Sequence, residues 1–335
     1  MAGQIFGLPF DDDIFVNAWM EEPNTVKSAI HSSGAMVEDP VITARLGSDG
    51  NLITIPFYKA LDGEPVNYDG KTDITTSEVG GDTMSAVAFG RAKGWSQRDF
   101  VKDLSTGDPM ASIVRKVASY WDNQRQKMLL GILDGVFSIE NDPDWKKHTM
   151  DVSKTASKGV LIEPSIIADL ATDTLGDNKS AYGLLIMHSK VASTLEKLQM
   201  LDFWKFTTPD GMTRPLSVGS CQGYTVVVDD SVPVDTTTTG FYKYTTYLLG
   251  NGVLRHGNGA LEHPVETERD PAKNGGMDFL YTRIRECIHP NGFTFVVPKS
   301  GFGESPSNAI LFDKGNWKRM YDAKAIPMAR LITNG

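Results

Sequence analysis

The chain has 335 residues, 40% of them apolar and 22% charged, which is enough for one large domain or about two to three smaller ones with a substantial core. Its net charge of -9 and its pI of about 5.2 give it no general attraction for phosphates. A conventional nucleic-acid-binding module is therefore disfavoured, although a protein that surrounds nucleic acid without gripping it is not excluded.

The two cysteines, Cys221 and Cys287, fit no metal-ligand spacing, which favours buried free thiols in a reducing compartment. The first residues lack the basic start and the apolar core of a secretory signal. No apolar run approaches the roughly 20 residues of a transmembrane helix. We therefore expect a cytoplasm-like compartment and no membrane partner.

Residues 1–50 alternate short apolar clusters with acidic runs and show no long period. Phe6, Phe15 and Trp19 lie in these apolar clusters, and an acidic run, Asp11 to Asp13, separates the first two. The pattern predicts an extended arm with at most one short helix. Such an arm exposes large apolar side chains unless another surface, for example a neighbouring subunit, covers them.

Residues 51–92 predict a long two-stranded excursion from the body. Ile53, Ile55 and Phe57 alternate with other residues as in a half-buried strand, and Pro56 favours an edge position. A second strand is predicted over 85–91, and the segment between them is rich in turn signals. Because an isolated hairpin is marginal in water, we expect this excursion to need a surface outside its own subunit.

The next segment predicts one long amphipathic helix over residues 107–137. Asp108 and Pro109 suit its first positions, and apolar residues recur at three- and four-residue steps from Met110 to Val136. At 1.5 Å per residue such a helix is roughly 40 Å long, more than the width of a small domain.

The remaining chain alternates helical and strand patterns, which predicts a mixed α/β unit followed by long strands. The predicted helices cover 166–175, 189–198 with Ser189 as N-cap, and 316–321. The predicted strands cover 184–188, 224–228, 245–249, 265–270, 277–297 with a hinge at 289–292, and a closing strand at 326–332.

One motif resembles a catalytic signature. Gly219, Cys221 and Gly223 match the G-x-C-x-G form of a nucleophile elbow, which requires a helix after the nucleophile. The following residues, 224–228, are strand-like instead, so a glycine-rich turn is favoured.

The other candidate sites are also better explained as ordinary surface residues. His256 and His263, with Glu262 beside the second, predict a surface turn because zinc requires a tighter pair or a third ligand. Acidic residues that suggest a cation site or a glycosidase pair are interpreted as solvated; they are Asp11, Asp12, Asp13, Asp134, Glu140, Asp142 and Asp144. We therefore expect no catalytic residue, metal site or cofactor.

The order of these parts resembles the HK97-type fold of tailed-phage major capsid proteins. Local strings resemble one large branch of phage coat proteins: ITIPFYKALDGEPVNYDG at 53–70, GRAKGWS at 90–96, VASYWDNQRQKMLLGIL at 117–133, VETERD at 265–270, IHPNGF at 288–293 and NWKRMYDAKAIPMARLITNG at 316–335. The resemblance covers almost the whole chain, and the joint order of the strings is what makes it specific.

This resemblance implies an α+β fold of four parts. They are an N-terminal arm over 1–50, an E-loop hairpin over 51–92, a peripheral domain over 93–159 and 265–305 with its spine helix at 107–137, and an axial α/β domain over 160–264 and 306–335. In the family, the arm and the E-loop lie across adjacent subunits, which would cover both of the predicted uncovered segments.

The implied function is that of a major capsid protein, which is not an enzyme and has no cofactor. Copies of the chain would assemble with each other as hexamers and pentamers into an icosahedral head that encloses double-stranded DNA without reading its sequence. The expected location is the virion, assembled in the host cytoplasm. The expected subunit-interface residues are Phe6, Phe15, Trp19, Phe57, Tyr58, Lys59, Glu64, Tyr68, Arg91, Trp95 and Arg98.

Scaffold, portal and decoration proteins are the further partners that the family implies. Many relatives begin with a long charged scaffolding segment, which this sequence lacks, so we expect a separate scaffold protein or none. Some relatives also form Lys–Asn cross-links between subunits. No local pattern marks Lys59 or Lys71 for that chemistry, and we expect none.

Two other functions remain open from the sequence. An encapsulin, a cellular nanocompartment built on the same fold, would enclose a cargo enzyme instead of DNA. A thiol hydrolase using Cys221 belongs to another class, and alkylation of that thiol would abolish its activity.

Overall fold

A computed structural model of the chain describes residues 3–5, 8–10, 30, 34–46, 50–59, 61, 63–71, 73–74, 76, 79–98, 109–155, 159–207, 213–300 and 302–335. Within them the helices with defined bounds are α1 Pro40–Leu46, α2 Pro109–Phe137, α3 Pro143–Lys146, α4 Pro164–Leu175, α5 Ser189–Lys197 and α6 Asn308–Phe312. The strands are β1 Gly3–Ile5, β2 Leu8–Phe10, β3 Met36–Glu38, β4 Leu52–Tyr58, β5 Gly81–Arg98, β6 Thr149–Asp151, β7 Tyr182–Met187, β8 Asp202–Thr207, β9 Thr213–Cys221, β10 Tyr224–Val228, β11 Val234–Asp235, β12 Lys243–Gly250, β13 Leu254–Asn258, β14 Val265–Asp270, β15 Met277–Pro290, β16 Phe293–Phe295, β17 Trp317–Arg319 and β18 Met328–Thr333.

An eight-stranded mixed sheet has the order β6-β18-β12-β7-β10-β9-β8, with β11 beside β12. Its strand β7 is apolar throughout because both of its faces are covered. Leu184 and Ile186 join one core, whereas Leu185 and Met187 join a second core under α4 and α5. The predicted mixed α/β unit is confirmed, including the end of α4 at Gly176, whose φ is +63°.

A six-stranded sheet has the order β3-β13-β15-β5-β4, with β14 beside β15. Strand β5 changes partner along its length: residues 81–87 pair with β4 and residues 88–98 pair with β15. Strand β4 is at the sheet edge, as its proline at position 56 predicts.

The long helix α2 lies on this six-stranded sheet and confirms the helix expected at 107–137, whose first two residues are outside the described part. The indole Nε1 of Trp121 donates to Oγ1 of Thr282 at 3.0 Å, and Nε of Arg125 donates to Oε1 of Glu286 at 2.5 Å. Burial opposes ionisation of Glu286, but attraction from His256 and Arg125 prevails and lowers its pKa. The helix is therefore fixed to the sheet by polar contacts as well as by its apolar face.

At its other end, α2 approaches α6 closely enough to require a glycine. A Cβ added at Gly135 would lie 2.6 Å from the carbonyl oxygen of Phe312. A larger residue would force the two helices apart, so the packing of α6 against α2 depends on a glycine at this position.

The segment expected to be helical at 316–321 is instead mainly strand β17. The indole of Trp317 donates to the carbonyl oxygen of Leu311 at 2.8 Å and packs edge-on against Phe295, 5.2 Å between ring centroids. Strand pairing with β16 and burial of this indole outweigh the local helical pattern.

Three further boundaries differ from the sequence expectation. The strand pair expected over 277–297 turns within its expected hinge, 289–292, but β15 and β16 do not pair with each other, because β16 pairs with β17. The N-cap of α5 is His188, not Ser189: Nδ1 of the imidazole accepts from the backbone N–H of Lys190 at 3.0 Å. The last part of the expected arm is body, because β3 pairs with β13 and α1 is packed beneath it.

The excursion expected to need an outside surface is half covered by its own chain. Ile53 and Ile55 of β4 and Met84 and Ala86 of β5 are buried with α1 and Cys287 in a separate small core. We call this paired part, residues 52–58 with 81–87, the ribbon base. The expectation of an unsupported hairpin is wrong for the ribbon base.

Candidate assembly surface

Residues 59–80, here called the distal loop, connect the two strands of the ribbon base and contain no regular secondary structure at their described positions. Large apolar side chains are exposed there: Leu61 at 81%, Tyr68 at 91% and Ile74 at 70% of their full areas. Tyr58, at the end of β4, is exposed to 82%. Apolar groups this exposed on one segment are typical of a surface that another molecule covers.

Two polar contacts join the two ends of the distal loop, here called its neck. The backbone N–H of Lys59 donates to the carbonyl oxygen of Gly80 at 2.8 Å, and Nζ of Lys59 lies 3.5 Å from Oδ2 of Asp82. The N–H of Thr83, together with this ammonium, lowers the pKa of the Asp82 carboxyl. The neck is thus fixed, while large apolar side chains described beyond it, those of Leu61, Tyr68 and Ile74, are exposed.

Two aromatic residues expected at an interface make contacts within their own chain. Phe57 packs edge-on against Tyr321 with ring centroids 4.9 Å apart. Trp95 packs in the same way against Tyr120 of α2 at 5.4 Å. These contacts give both rings a role inside the subunit, and their place at an interface stays a prediction.

Arg91 also serves its own chain. Its guanidinium donates to the carbonyl oxygen of Pro306 at 2.9 Å and to Oδ1 of Asn308 at 2.6 Å, and it lies near the hydroxyl of Ser305. Partial burial lowers the pKa of this guanidinium. Arg91 therefore holds the segment before α6 against β5.

The remaining expected interface residues fall into two groups. Lys59, Glu64 and Tyr68 are exposed on the distal loop. Phe6, Phe15, Trp19 and the side chain of Arg98 lie outside the described residues. The sequence reasoning missed Leu61, Ile74 and Val79, which are exposed on the same loop. The signal was available, since each is a large apolar residue in a turn-rich segment with no predicted core.

The glycine-rich cysteine motif is a hairpin turn, as its strand-like continuation predicts. Gln222 and Gly223 have φ values of +51° and +87° and connect antiparallel β9 and β10. Burial raises the pKa of the Cys221 thiol, and it raises that of Cys287 to about 12. Both thiols are buried and free, which disfavours the nucleophilic thiolate that a hydrolase requires.

The expectation of a surface turn is wrong for His256. This residue lies in β13, is 2% exposed, and has Nε2 4.0 Å from Oε2 of Glu286. Its neighbour in the motif, His263, is exposed. The strand pairing of β13 with β15 draws His256 into the seam under α2, which the spacing of the two histidines did not indicate.

The acids near the end of α2 and in the segment after it are salt-bridge partners, which disfavours a catalytic pair. Asp142 caps α3 and accepts from Nε of Arg319 at 2.6 Å, which lowers its pKa, so it is half-buried and not solvent-facing as expected. Asp134, Glu140 and Asp144 pair with Arg330, Lys314 and Lys147. In the described ranges, no three His, Cys, Asp or Glu side chains are grouped as metal ligands, and no helix is long and apolar enough to cross a membrane.

The sequence is 31% identical to the major capsid protein of Bacillus phage SPP1 over 312 residues, covering 92% of each chain. No family model matches the sequence. Among solved structures, the capsid of Ralstonia phage GP4 superposes with a TM-score of 0.55 at 11% identity, over 90% of this chain and 87% of that one. The cyanophage Pam1 capsid superposes with a TM-score of 0.49 at 8% sequence identity, over 85% of this chain and 86% of that one.

The long helix, the two sheets and the ribbon with its uncovered distal loop define an HK97-like capsid fold. The extent and identity of the match to the SPP1 protein take the assignment further. The chain belongs to the family of bacteriophage major capsid proteins.

Proposed function

We propose that copies of this chain assemble as hexamers and pentamers into an icosahedral phage head that encloses double-stranded DNA. Heterologous contacts between identical subunits close into rings when the rotation between them allows it. Family membership supports the shell, and the exposed apolar side chains of the distal loop support extensive contact between copies. The N-terminal segment, residues 1–50, and the E-loop, residues 51–92, would supply those contacts.

The exposure of large apolar side chains on the distal loop is the single observation that carries this proposal. Its apolar side chains are uncovered although the ribbon base beside it is buried in its own subunit. Burying such side chains contributes about 1.5–3 kcal/mol each, so a neighbouring copy that covers them gains considerable stability. The loop is thus suited to hold a second subunit.

The charge of the chain supports a container that does not grip its content. With a net charge of -9, the protein provides little electrostatic attraction for the phosphate backbone. DNA can then be packed and released without breaking many ion pairs. Strong binding of duplex DNA by the isolated protein at physiological salt would contradict this part of the proposal.

Electron microscopy of the expressed protein tests assembly directly. Wild-type chains should form closed shells or capsomer rings, alone or with a scaffold protein from the same phage. A triple variant, Leu61→Ser, Tyr68→Ser and Ile74→Ser, should keep the far-UV circular dichroism of the subunit but lose most particles. The matched control is Val296→Ser with Val297→Ser, which removes exposed apolar groups elsewhere and should leave assembly unchanged.

Two results would contradict the proposal. One is a monodisperse wild-type monomer at high concentration with or without scaffold, and the other is a triple variant that assembles as the wild type does. The content of particles purified from the phage provides a further check. Nuclease-resistant double-stranded DNA is expected inside, whereas a cargo enzyme would favour a cellular nanocompartment.

A further inference from the structure

The sheet that carries the ribbon has an exposed edge beyond the ribbon base. Strand β4 stops opposite Val87 of β5. After that point, the N–H of Ala88 bonds to the carbonyl oxygen of Asn51, and Gly90 exchanges hydrogen bonds with the hydroxyl of Ser305. From residue 92 to residue 98, β5 pairs with β15 on one side, and no strand of the described residues pairs with it on the other side.

This edge has the shape of a receptor for an extended chain. Its side chains are small where they face outward: Ala92, Gly94 and Ser96 are exposed and stand on one face of β5. With Tyr281 and other residues of β15, the first two line a cleft of about 150 Å³. Exposed strand edges with unpaired backbone groups bind extended segments of other chains by adding a strand.

One segment of the distal loop has the composition of the missing strand. Residues 73–79 read DITTSEV, a run rich in β-branched residues, and both Ile74 and Val79 are exposed. The described positions of this run have no regular secondary structure in the subunit. Among the described residues, the same chain thus carries a strand edge that no strand pairs with and a β-branched run that forms no strand at its described positions.

The charges of the two segments are opposite. Residues 92–98 read AKGWSQR, with two basic residues and no acidic one, whereas residues 73–79 carry two acidic residues and no basic one. The whole distal loop, residues 59–80, contains five acidic and two basic residues. Opposite charge favours contact between these two segments. Like charge disfavours pairing between two copies of the same segment.

The chain cannot make this pairing with itself. From Gly81 to Ala92 the strand β5 extends by eleven residues, or roughly 36 Å. Val79 is two residues from Gly81, and Asp73 is eight residues, at most roughly 28 Å of extended chain, from it. The segment 73–79 therefore cannot lie along residues 92–98 of its own subunit.

We propose that residues 73–79 of one copy add as an edge strand to residues 92–98 of β5 in a second copy. The inference rests on the proposed assembly into shells and names the surface that receives the distal loop. Backbone hydrogen bonds would provide the affinity, and the contact of Asp73 with Lys93 would set the register.

Cysteine trapping in assembled particles tests this contact. We would prepare Thr76→Cys and Ser96→Cys as separate proteins, co-assemble them, oxidise the particles and run non-reducing gels. The native thiols Cys221 and Cys287 are buried and will not compete. Because each protein carries one new cysteine, a band at twice the monomer mass that is absent from either protein alone reports a contact between copies within disulfide reach.

A matched control replaces Ser96→Cys by Thr239→Cys, an exposed position in the turn before β12. We expect the dimer band with Ser96→Cys and no band with Thr239→Cys. Particles that form normally but give no dimer band at position 96 would overturn the strand addition while leaving the shell function intact. Absence of any particle from the wild-type protein would instead overturn the shell function.

Charge exchange gives a second measurement if the cysteine variants do not assemble. Asp73→Lys and Lys93→Asp should each lower particle yield several-fold, and the two together should restore most of it. Single variants that assemble like the wild type, or a double variant no better than either single one, would count against the proposed contact.

Discussion

The ribbon base and the distal loop are continuous in the chain but have opposite surroundings. In the ribbon base, Ile53, Ile55 and Met84 are almost completely buried against α1. A few residues further on, Leu61 and Tyr68 are more than four-fifths exposed. The same excursion thus consists of one part that is completed by its own subunit and another that is not.

This difference shows how one chain separates folding from assembly. The ribbon base is fixed by burial, so its strands are in place before any second copy is present. The distal loop then extends from a rigid support with its apolar groups available. Substitutions in the ribbon base should therefore affect the stability of the subunit, and substitutions in the distal loop should affect contact between subunits.

The largest expected effect on subunit stability comes from Met84→Ala in the ribbon base. Met84 is fully buried, so its truncation should lower the free energy of unfolding by about 2–5 kcal/mol. Urea unfolding of unassembled subunits measures this change. Tyr68→Ala in the distal loop is the control, and it should change the unfolding free energy by less than about 0.5 kcal/mol.

The opposite ranking of these two variants in unfolding free energy would contradict the distinction between the ribbon base and the distal loop. If Tyr68→Ala destabilised the isolated subunit as much as Met84→Ala, the distal loop would be packed on its own subunit. The assignment of the loop to contacts between copies would then fail.

The stability of the subunit in acid should depend on a histidine buried in the six-stranded sheet. His289 of β15 is fully buried, and neither ring nitrogen has a hydrogen-bond partner among the described residues. Burial, with a smaller contribution from Arg255, lowers the pKa of His289 from 6.5 to about 3. The folded state therefore keeps this imidazole neutral at pH values where the unfolded chain takes up a proton.

The stability that depends on neutral His289 is complete above pH 6.5 and is lost as the pH falls toward 3. Linkage gives a loss of about 1.4 kcal/mol for each pH unit in that window. Urea unfolding of the isolated subunit at several pH values measures the slope. His289→Leu should reduce this slope, whereas His263→Gln, at an exposed position, should leave it unchanged; equal slopes in all three proteins would contradict this explanation.

The sequence predicted the elements whose signals are local. The helix α2 follows from the spacing of its apolar residues, and the edge position of β4 follows from Pro56, because both depend on periodicity or backbone chemistry. It failed where long-range pairing decides the outcome. Trp317 lies in a strand because β16 and the core beside it are available, which no local pattern indicates.

The same limit applies to the candidate surface. Tyr58, Lys59 and Tyr68, which the sequence analysis expects at an interface, are exposed, and their contact with a second copy stays a prediction. Phe57 and Arg91, expected at the same interface, have partners in their own chain, Tyr321 and Asn308, that lie more than two hundred residues away in sequence. Only the folded chain reveals those contacts.

Arg91 gives the smallest expected effect and refines the boundary between the two regions. If its role is to hold the segment before α6, Arg91→Ala should lower the free energy of unfolding of the isolated subunit by about 1–2 kcal/mol. Arg91→Lys keeps the charge but not the planar fork that reaches Pro306 and Asn308, so it should recover only part of the loss. Urea unfolding together with particle yield separates the two roles, because an interface residue would reduce yield without changing the unfolding midpoint. That result would place Arg91 with the distal loop, and the boundary of the self-supported region would then lie before it on β5.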